Sequence, residues 1–256
     1  MNKRGNVIHV CLTVLAGWLV FGVGLPVNPA KAEVPTETPV FSNPLEISNP
    51  YHPFSPGGVK VFTGHEGGTR EIAAHLYLTE TRMFKFDGQK VECRILREIA
   101  IEDGELVEVS DNYFAQADDG TVYYFGEVVD DYEGGMVVSH EGSWLVGGPT
   151  LRSDPADAGN APSPAVFMPA NPEAGDIFKP EDLFPLVDET AEVLAVGVTV
   201  KTSAGTFEDC IEVEESSRLS SGTETKWYAP GVGVVREKAP GQSLKLISST
   251  LLQPKD

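Results

Sequence analysis

The fold class of this chain is decided by the stretch DGQKVECRILREIAIEDGELVEVSDNYFAQADDGTVYYFGEVVDDYEGGMVVS, residues 87–139. Glycine turns recur in it roughly every 15 residues, at Asp87-Gly88, Asp103-Gly104, Asp119-Gly120 and Gly134-Gly135. Such dipeptides are favoured where turn residues need a positive φ, which is the condition for tight hairpins. The segments between the turns are rich in β-branched and aromatic residues. The stretch therefore predicts an antiparallel meander.

The pattern of strands and turns continues on both sides of this meander. A hairpin is predicted before it, and five strands are predicted after residue 165, at 191–201, 205–215, 224–228, 232–238 and 243–251. A single short helical turn is expected around Pro180–Leu186. The segment 147–165 is rich in Gly, Pro and Ala, so it is either an exposed excursion or a boundary between halves 51–146 and 166–251. We predict one all-β domain over 51–256, a curved antiparallel sheet or half-open barrel.

The two halves resemble each other in the order of their features. Each has a strand with a cysteine, Cys93 or Cys210, then a glycine turn, then a strand that ends in two aromatic residues and an alanine. The strand of the first half ends in Tyr113-Phe114-Ala115, and the strand of the second half ends in Trp227-Tyr228-Ala229. This order indicates either two related strand-hairpin units or a chance echo in an aromatic-rich β protein.

The N-terminus has the three parts of a secretory signal. A basic start is followed by an apolar run over 10–25 and by the small-x-small tripeptide Ala30-Lys31-Ala32. An uncleaved anchor is disfavoured because the apolar run is shorter than the roughly 20 residues of a spanning helix. We therefore predict a signal peptide over 1–32, a flexible lead-in over 33–50, no transmembrane segment after cleavage, and an exported protein that is periplasmic or secreted.

Charge and cysteine content restrict the partners of the processed chain. Removal of the three basic residues of the signal peptide, and of no acidic residue, changes the formal net charge from −19 to −22. So acidic a protein repels phosphate backbones, which makes nucleic acid an unsuitable partner. Cys93 and Cys210 remain after cleavage and could form one disulfide in an oxidising compartment.

The sequence contains no catalytic motif and indicates no cofactor. His65-Glu66 and His140-Glu141 could each supply two metal ligands, but both pairs are flanked by glycine and lack the helical spacing of a zinc hydrolase, so no metal site is predicted. The acidic cluster Glu212-Val213-Glu214-Glu215 reads as a solvated strand face.

The aromatic residues are the best candidates for a ligand-binding face. Aromatic rings on neighbouring strands can stack on sugars or line an apolar pocket, although they equally suit the buried face of a sheet. The candidate ligand-binding residues are Tyr113, Tyr123, Phe125, Trp144 and Trp227.

Three stretches resemble a family of uncharacterised bacterial secreted proteins. They are DNYFAQADDGTVYYFGE (111–127), which continues to SHEGSW (139–144), then FMPANPEAGDIF (167–178) and KWYAPGVGVVRE (226–237). The resemblance implies export and a β-rich fold, and it implies no activity.

Three functions are compatible with these features. We favour a non-enzymatic, envelope-associated or binding protein whose ligand or envelope partner is unknown. The first alternative is a carrier of an apolar small molecule in a barrel mouth. The second is a hydrolase that acts on envelope polymers, and a cluster of acids with raised pKa in a cleft would favour it.

Overall fold

The computed structural model describes residues 38–252. The predicted signal peptide and its cleavage site lie outside them. Within this range the chain forms fifteen strands and no helix, and it therefore has no helix that could cross a membrane. The strands are β1 Val59–Glu66, β2 Thr69–Phe86, β3 Gln89–Glu102, β4 Glu105–Gln116, β5 Val122–Glu133, β6 Met136–Ser139, β7 Trp144–Val146, β8 Gly159–Ala161, β9 Ala165–Met168, β10 Ile177–Leu183, β11 Val187–Thr202, β12 Gly205–Ser216, β13 Thr223–Ala229, β14 Gly233–Ala239 and β15 Gln242–Ser249.

The strands form one sheet that curls into a nearly closed barrel. The order along the sheet is β10-β11-β12-β13-β14-β15-β1-β2-β3-β4-β5-β7-β8, and β6 and β9 both pair with β5. The last strand, β15, pairs antiparallel with the first, β1, and so joins the two halves. β10 has a strand partner on one side only, so a single seam separates it from β7 and β8. The all-β, half-open barrel predicted from the sequence is confirmed.

Most of the predicted glycine turns adopt the expected conformation. Both residues have positive φ at Asp87-Gly88, Asp103-Gly104 and Gly134-Gly135. Asp119-Gly120 differs, because only Gly120 has a positive φ, and the connection runs over residues 117–121. There the Asp119 carboxylate accepts a hydrogen bond from the backbone N–H of Thr121 at 2.8 Å, which fixes the longer turn.

Two connecting segments differ from the sequence-based expectation. Within the predicted flexible lead-in, residues 38–50 pack on the barrel: Phe41 contacts Tyr123 with ring centroids 5.7 Å apart, and Asn49 donates to the Pro169 carbonyl at 2.9 Å. The expected helical turn near residue 180 is wrong, because Ile177–Leu183 is strand β10. Its ladder with β11 supplies backbone hydrogen bonds that an isolated helical turn would lack.

The loop between β7 and β8 is anchored by a buried ion pair. Asp154 in this loop accepts two hydrogen bonds from the Arg82 guanidinium, at 2.9 and 2.8 Å. The same guanidinium lies between the rings of Phe84 and Tyr113, at 4.8 and 4.7 Å from their centroids. The segment expected to be an excursion or a boundary is therefore fastened to the first half.

The structure contains no disulfide between Cys93 and Cys210, because both are buried free thiols. Cys93, on β3, packs in one hydrophobic cluster, and Cys210, on β12, packs in another. Five strands separate β3 from β12 along the sheet, whereas a disulfide needs Cα atoms within about 7 Å. The suggested pairing is therefore corrected.

β12 has a bulge immediately before the buried Cys210. Cys210 and Ile211 are consecutive and fully buried in different clusters, so they point to opposite faces of the sheet. Asp209 has a positive φ of 53°, and the register between β11 and β12 shifts at this point. The bulge shifts the alternation so that Phe207 and Cys210, three residues apart, pack in the same cluster. From 211 to 216 the ladder with β13 is regular, and Glu215 lines the cavity.

Candidate functional site

The barrel encloses a cavity of about 280 Å³. Its walls come from both halves of the chain, mainly from β1–β4 and β11–β15. At one end the lining reaches the β1–β2 turn, the loop 216–223 and the β14–β15 turn, which form the rim. At the other end it reaches His52, from the segment that precedes β1, and Phe167, from β9. A volume of this size corresponds to about nine water molecules, so the cavity suits a small molecule.

The floor of the cavity is aromatic. The His52 ring packs between Phe114 and Phe167, with centroids 4.5 and 4.6 Å away, and Tyr77 lines the same end. Burial, and then the nearby Lys60 ammonium, lower the pKa of His52 to about 3, so this imidazole is neutral at physiological pH. Its Nε2 is buried without a hydrogen-bond partner in the described protein.

Lys60 is a buried lysine that uses two of its three N–H donors inside the protein. It is 1% exposed, and its Nζ donates to the backbone carbonyls of Val232 and Val234 at 3.3 and 3.0 Å. Desolvation lowers the pKa of Lys60 to about 8, against smaller opposing effects of acidic neighbours. Lys60 therefore joins β1 to the β13–β14 turn and helps to close the floor.

A second buried lysine, Lys226, lies among the carboxyl groups of one side of the cavity, which we call the acidic wall. Its members are Glu98, Glu189, Glu215, Glu224 and Glu237. The Nζ of Lys226 lies 2.5 Å from Glu215 Oε2 and 3.6 Å from Glu224 Oε2. Glu189 is 7% exposed beside this group, and its Oε2 is buried without a hydrogen-bond partner in the described protein. Burial, followed by the Glu215 carboxylate, holds the pKa of Glu189 well above its usual range. One ammonium thus serves several carboxyl groups.

Two further acids reach the same wall from β3 and β14. Glu98 Oε1 lies 3.4 Å from His75 Nε2, and the other ring nitrogen of His75, Nδ1, is buried without a hydrogen-bond partner in the described protein. Burial, and then the Glu224 carboxylate, raise the pKa of Glu237 to about 8. Glu237 therefore carries a proton for much of the time near neutral pH.

Side-chain hydrogen bonds bridge the seam of the barrel. Trp144 Nε1, on β7, donates to Glu181 Oε1, on β10, at 3.4 Å, and Glu181 also hydrogen-bonds Glu127, on β5. Burial raises the pKa of both carboxyl groups, because two anions cannot lie this close in a dry site. A shared proton therefore holds the two edges of the sheet together where backbone pairing is missing.

The five predicted aromatic residues do not line this cavity. Because side chains alternate along a strand, Phe114 and Tyr228 face the cavity while Tyr113 and Trp227, one position before each, face the other side of the sheet. Phe125 and Tyr123 pack under the ring of Phe41. Trp144 is 1% exposed at the seam, and Trp227 stacks on the guanidinium of Arg236 at 4.7 Å.

The two His-Glu pairs are also placed apart from one another. His65-Glu66 lies at the end of β1, and Glu66 belongs to the cavity rim. His140, which follows β6, has its Nδ1 2.8 Å from Asp130 Oδ1 on β5. Among residues 38–252 no group of three His, Cys, Asp or Glu side chains is arranged to hold a metal ion.

Comparison with known proteins adds a family match over part of the chain. The sequence model of a family described as DUF3108-like matches residues 195–252, which include the stretch 226–237 but not 111–127 or 167–178. This match fits an uncharacterised family. No curated protein matches the sequence. A crystal structure described as a "putative lipoprotein" from Parabacteroides distasonis is 14% identical, with a TM-score of 0.41, and the match covers 78% of this chain and 98% of that one.

The sequence reasoning missed the acids that line the cavity. Glu215 was interpreted as part of a solvated strand face, but it is 4% exposed. A sign of this was present in the sequence: Lys226 is followed by Trp227 and Tyr228, so the strand carries apolar side chains on both faces. A strand buried on both faces places its charged residues inside the protein.

Proposed function

We propose that this chain is an exported, envelope-associated binding protein that holds a small molecule in its barrel cavity without chemically changing it. The observation that carries the proposal is a set of buried polar atoms that face the cavity without partners in the described protein: His52 Nε2, His75 Nδ1 and Glu189 Oε2. Buried polar groups normally have hydrogen-bond partners. A ligand with a polar end would supply them.

Export and envelope association are supported by the signal-peptide pattern of residues 1–32 and by the resemblance to secreted proteins. N-terminal analysis of the protein from a cell that exports it should find a chain that begins at Glu33. Recovery of the full-length chain in the cytosol would contradict this part of the proposal.

The cavity supports a ligand with a polar end more than a purely apolar one. The aromatic floor suits an apolar body, but an apolar molecule would leave His75 Nδ1 and Glu189 Oε2 without partners, at a cost of about 1–3 kcal/mol each. We therefore keep the carrier alternative, with an amphipathic molecule in place of a purely apolar one as its ligand.

A hydrolase is the second candidate, because buried acids with raised pKa lie together in a cavity. Glu237, with a pKa of about 8, would be its general acid. Two features favour binding over hydrolysis: Glu215 is engaged by Lys226, and the cavity is too small for a polymer chain. Loss of a measurable hydrolytic activity in Glu237→Gln would favour the hydrolase.

Native mass spectrometry of gently purified protein tests the binding function. Ala100 is 4% exposed and lines the cavity, so Ala100→Phe should fill much of it. Leu194 is 42% exposed on the outer surface, so Leu194→Phe is the matched control. We expect a small-molecule adduct on the wild type and on Leu194→Phe, and none on Ala100→Phe. An adduct that survives equally in all three proteins would place the ligand elsewhere.

A further inference from the structure

The charges of the cavity lining are strongly unbalanced. Eight carboxyl groups line it, against two lysines. The acids are Glu66, Glu98, Glu108, Asp188, Glu189, Glu215, Glu224 and Glu237. His52 and His75 add no charge near neutral pH, because burial lowers the pKa of both. The interior of the barrel therefore has a large excess of groups that can become negative.

Both lysines are already engaged within the protein. Lys60 is held by the two carbonyls of the β13–β14 segment, and Lys226 is held by Glu215 and Glu224. At the rim, Asp188 is neutralised by Arg218, whose Nη2 lies 2.5 Å away. An anion in this cavity would meet an excess of carboxyl groups, and both lysines already have partners within the protein.

Glu189 and Glu237 lie in no ion pair with a lysine or arginine within the described part of the chain. Glu189 presents a buried oxygen without a partner in the described protein, and Glu237 lies across the β13–β14 ladder from Lys226, which is already shared by other acids. Without a cation these groups avoid mutual repulsion by keeping protons. A positively charged ligand would replace those protons and let the acids ionise.

The floor adds a second requirement. Tyr77, Phe114 and Phe167 present aromatic surface opposite the acidic wall. A bare metal ion would leave this surface unused, whereas an apolar body would cover it. The face of an aromatic ring also attracts cations. The cavity as a whole therefore matches a small molecule with one apolar end and one cationic end.

We propose that the cavity binds an organic ammonium ion, whose charge is balanced by the acidic wall that contains Glu189 and Glu237 and whose apolar body lies on Tyr77, Phe114 and Phe167. This inference rests on the proposed binding function and names the chemical class of its ligand. The cation enters from the rim formed by the loop 216–223, and the amine points back toward the acidic wall.

Binding of the cation is coupled to proton release. The groups that face Glu237 come from four strands: Glu224, Lys226 and Tyr228 from β13, Glu215 from β12, Glu98 from β3 and Lys60 from β1. Burial, and then the Glu224 carboxylate, raise the pKa of Glu237, so this group keeps a proton until the incoming ammonium expels it. Affinity for the amine therefore rises as the pH rises from 6 to 8, while affinity for an uncharged analogue does not change.

Three probes of the same size and shape test the inference: 2-phenylethylamine, 2-phenylethanol and phenylacetate. Their binding to the processed protein is followed by NMR titration at pH 6 and pH 8. We expect the amine to bind at least ten times more tightly than the alcohol at pH 8 and to lose most of this advantage at pH 6. The carboxylate should not bind at either pH.

Variants separate the effect of the charges in the acidic wall from effects of the substitutions on folding. The double variant Glu189→Gln/Glu237→Gln should bind the amine no more tightly than the alcohol, and its melting temperature checks that it is folded. Glu208→Gln, which removes an exposed acid from β12, should bind as the wild type does. Equal binding of amine and alcohol by the wild type would overturn the inference and leave the proposed function standing. Failure of all three probes to bind in the cavity would count against the proposed function itself.

Discussion

Replacement of Lys226 by methionine should lower the free energy of unfolding by about 3–5 kcal/mol at pH 7.5. The magnitude follows from the geometry: the ammonium lies 2.5 Å from Glu215, and the two side chains are 5% and 4% exposed. Removal of the ammonium leaves the Glu215 carboxylate buried beside Glu224 and Glu189 without a positive partner. Breaking a buried pair from one side costs far more than the pair contributes in net terms.

The deficit should shrink as the pH falls. Without Lys226 the acidic wall takes up protons more readily, and a neutral carboxyl group no longer needs the ammonium. Denaturant unfolding at pH 7.5 and pH 5 measures both values. The double variant Lys226→Met/Glu215→Gln should recover most of the lost stability at pH 7.5, because it removes the stranded charge together with its partner.

Lys179→Met is the matched control. Lys179 Nζ lies 2.7 Å from Asp182, but the two side chains are 38% and 57% exposed, and exposed pairs contribute about 0–1 kcal/mol. Its Nζ also lies 3.9 Å from the buried Asp188, but that carboxylate keeps its closer ion pair with Arg218 in the variant. If Lys226→Met lost no more stability than Lys179→Met, the acidic wall would not be the dry, charge-coupled site described above. Failure of the double variant to recover stability would also refute the reasoning.

Three further outcomes are expected. Burial raises the pKa of Glu71 from 4.5 to about 7, so the stability that depends on its protonated form is present below pH 4.5 and is lost as the pH rises to 7. Glu71→Gln should therefore be more stable than the wild type by up to about 3 kcal/mol above pH 7 and equally stable at pH 4.5. Denaturant unfolding across this pH range measures the difference. Arg82→Leu should cost about 3–5 kcal/mol, because it leaves Asp154 buried without its bidentate partner, and hydrogen exchange should show the loop that carries Asp154 released from the barrel. Thiol labelling should find Cys93 and Cys210 unreactive in the folded protein and two free thiols after unfolding without reductant, since both are buried; an absence of thiols after unfolding would show that they form a disulfide.

Much of the fold was predictable because its signals are local. The dipeptides at 87–88 and 103–104 adopt the positive φ angles that Asp-Gly turns favour, and the strands between them begin and end close to the expected residues. The suggestion of two related strand-hairpin units stays a prediction. The main local error, at residue 180, arose because the backbone partner of β10 is β11, which no short window of sequence contains.

The candidate site was not predictable in the same way. The aromatic residues chosen from the sequence were correctly expected on neighbouring strands, but period-two alternation does not say which of the two faces lies inside a barrel. Phe114 and Tyr228 line the cavity, whereas Tyr113 and Trp227 do not. The bulge at Asp209 also shifts the alternation within β12, between Phe207 and Cys210.

The sequence by itself determined that the part of this chain after the predicted signal peptide would be β-structured, acidic and divided by glycine turns, because each of these properties depends on composition or on a few adjacent residues. The tertiary structure alone decided that the acids would gather around one ammonium. β1 and β15 pair across the whole length of the domain, and this closure brings Glu98 and Glu237 to the same interior. The energy of a charge depends on its burial and on its neighbours, and both are fixed only when the sheet curls into a barrel.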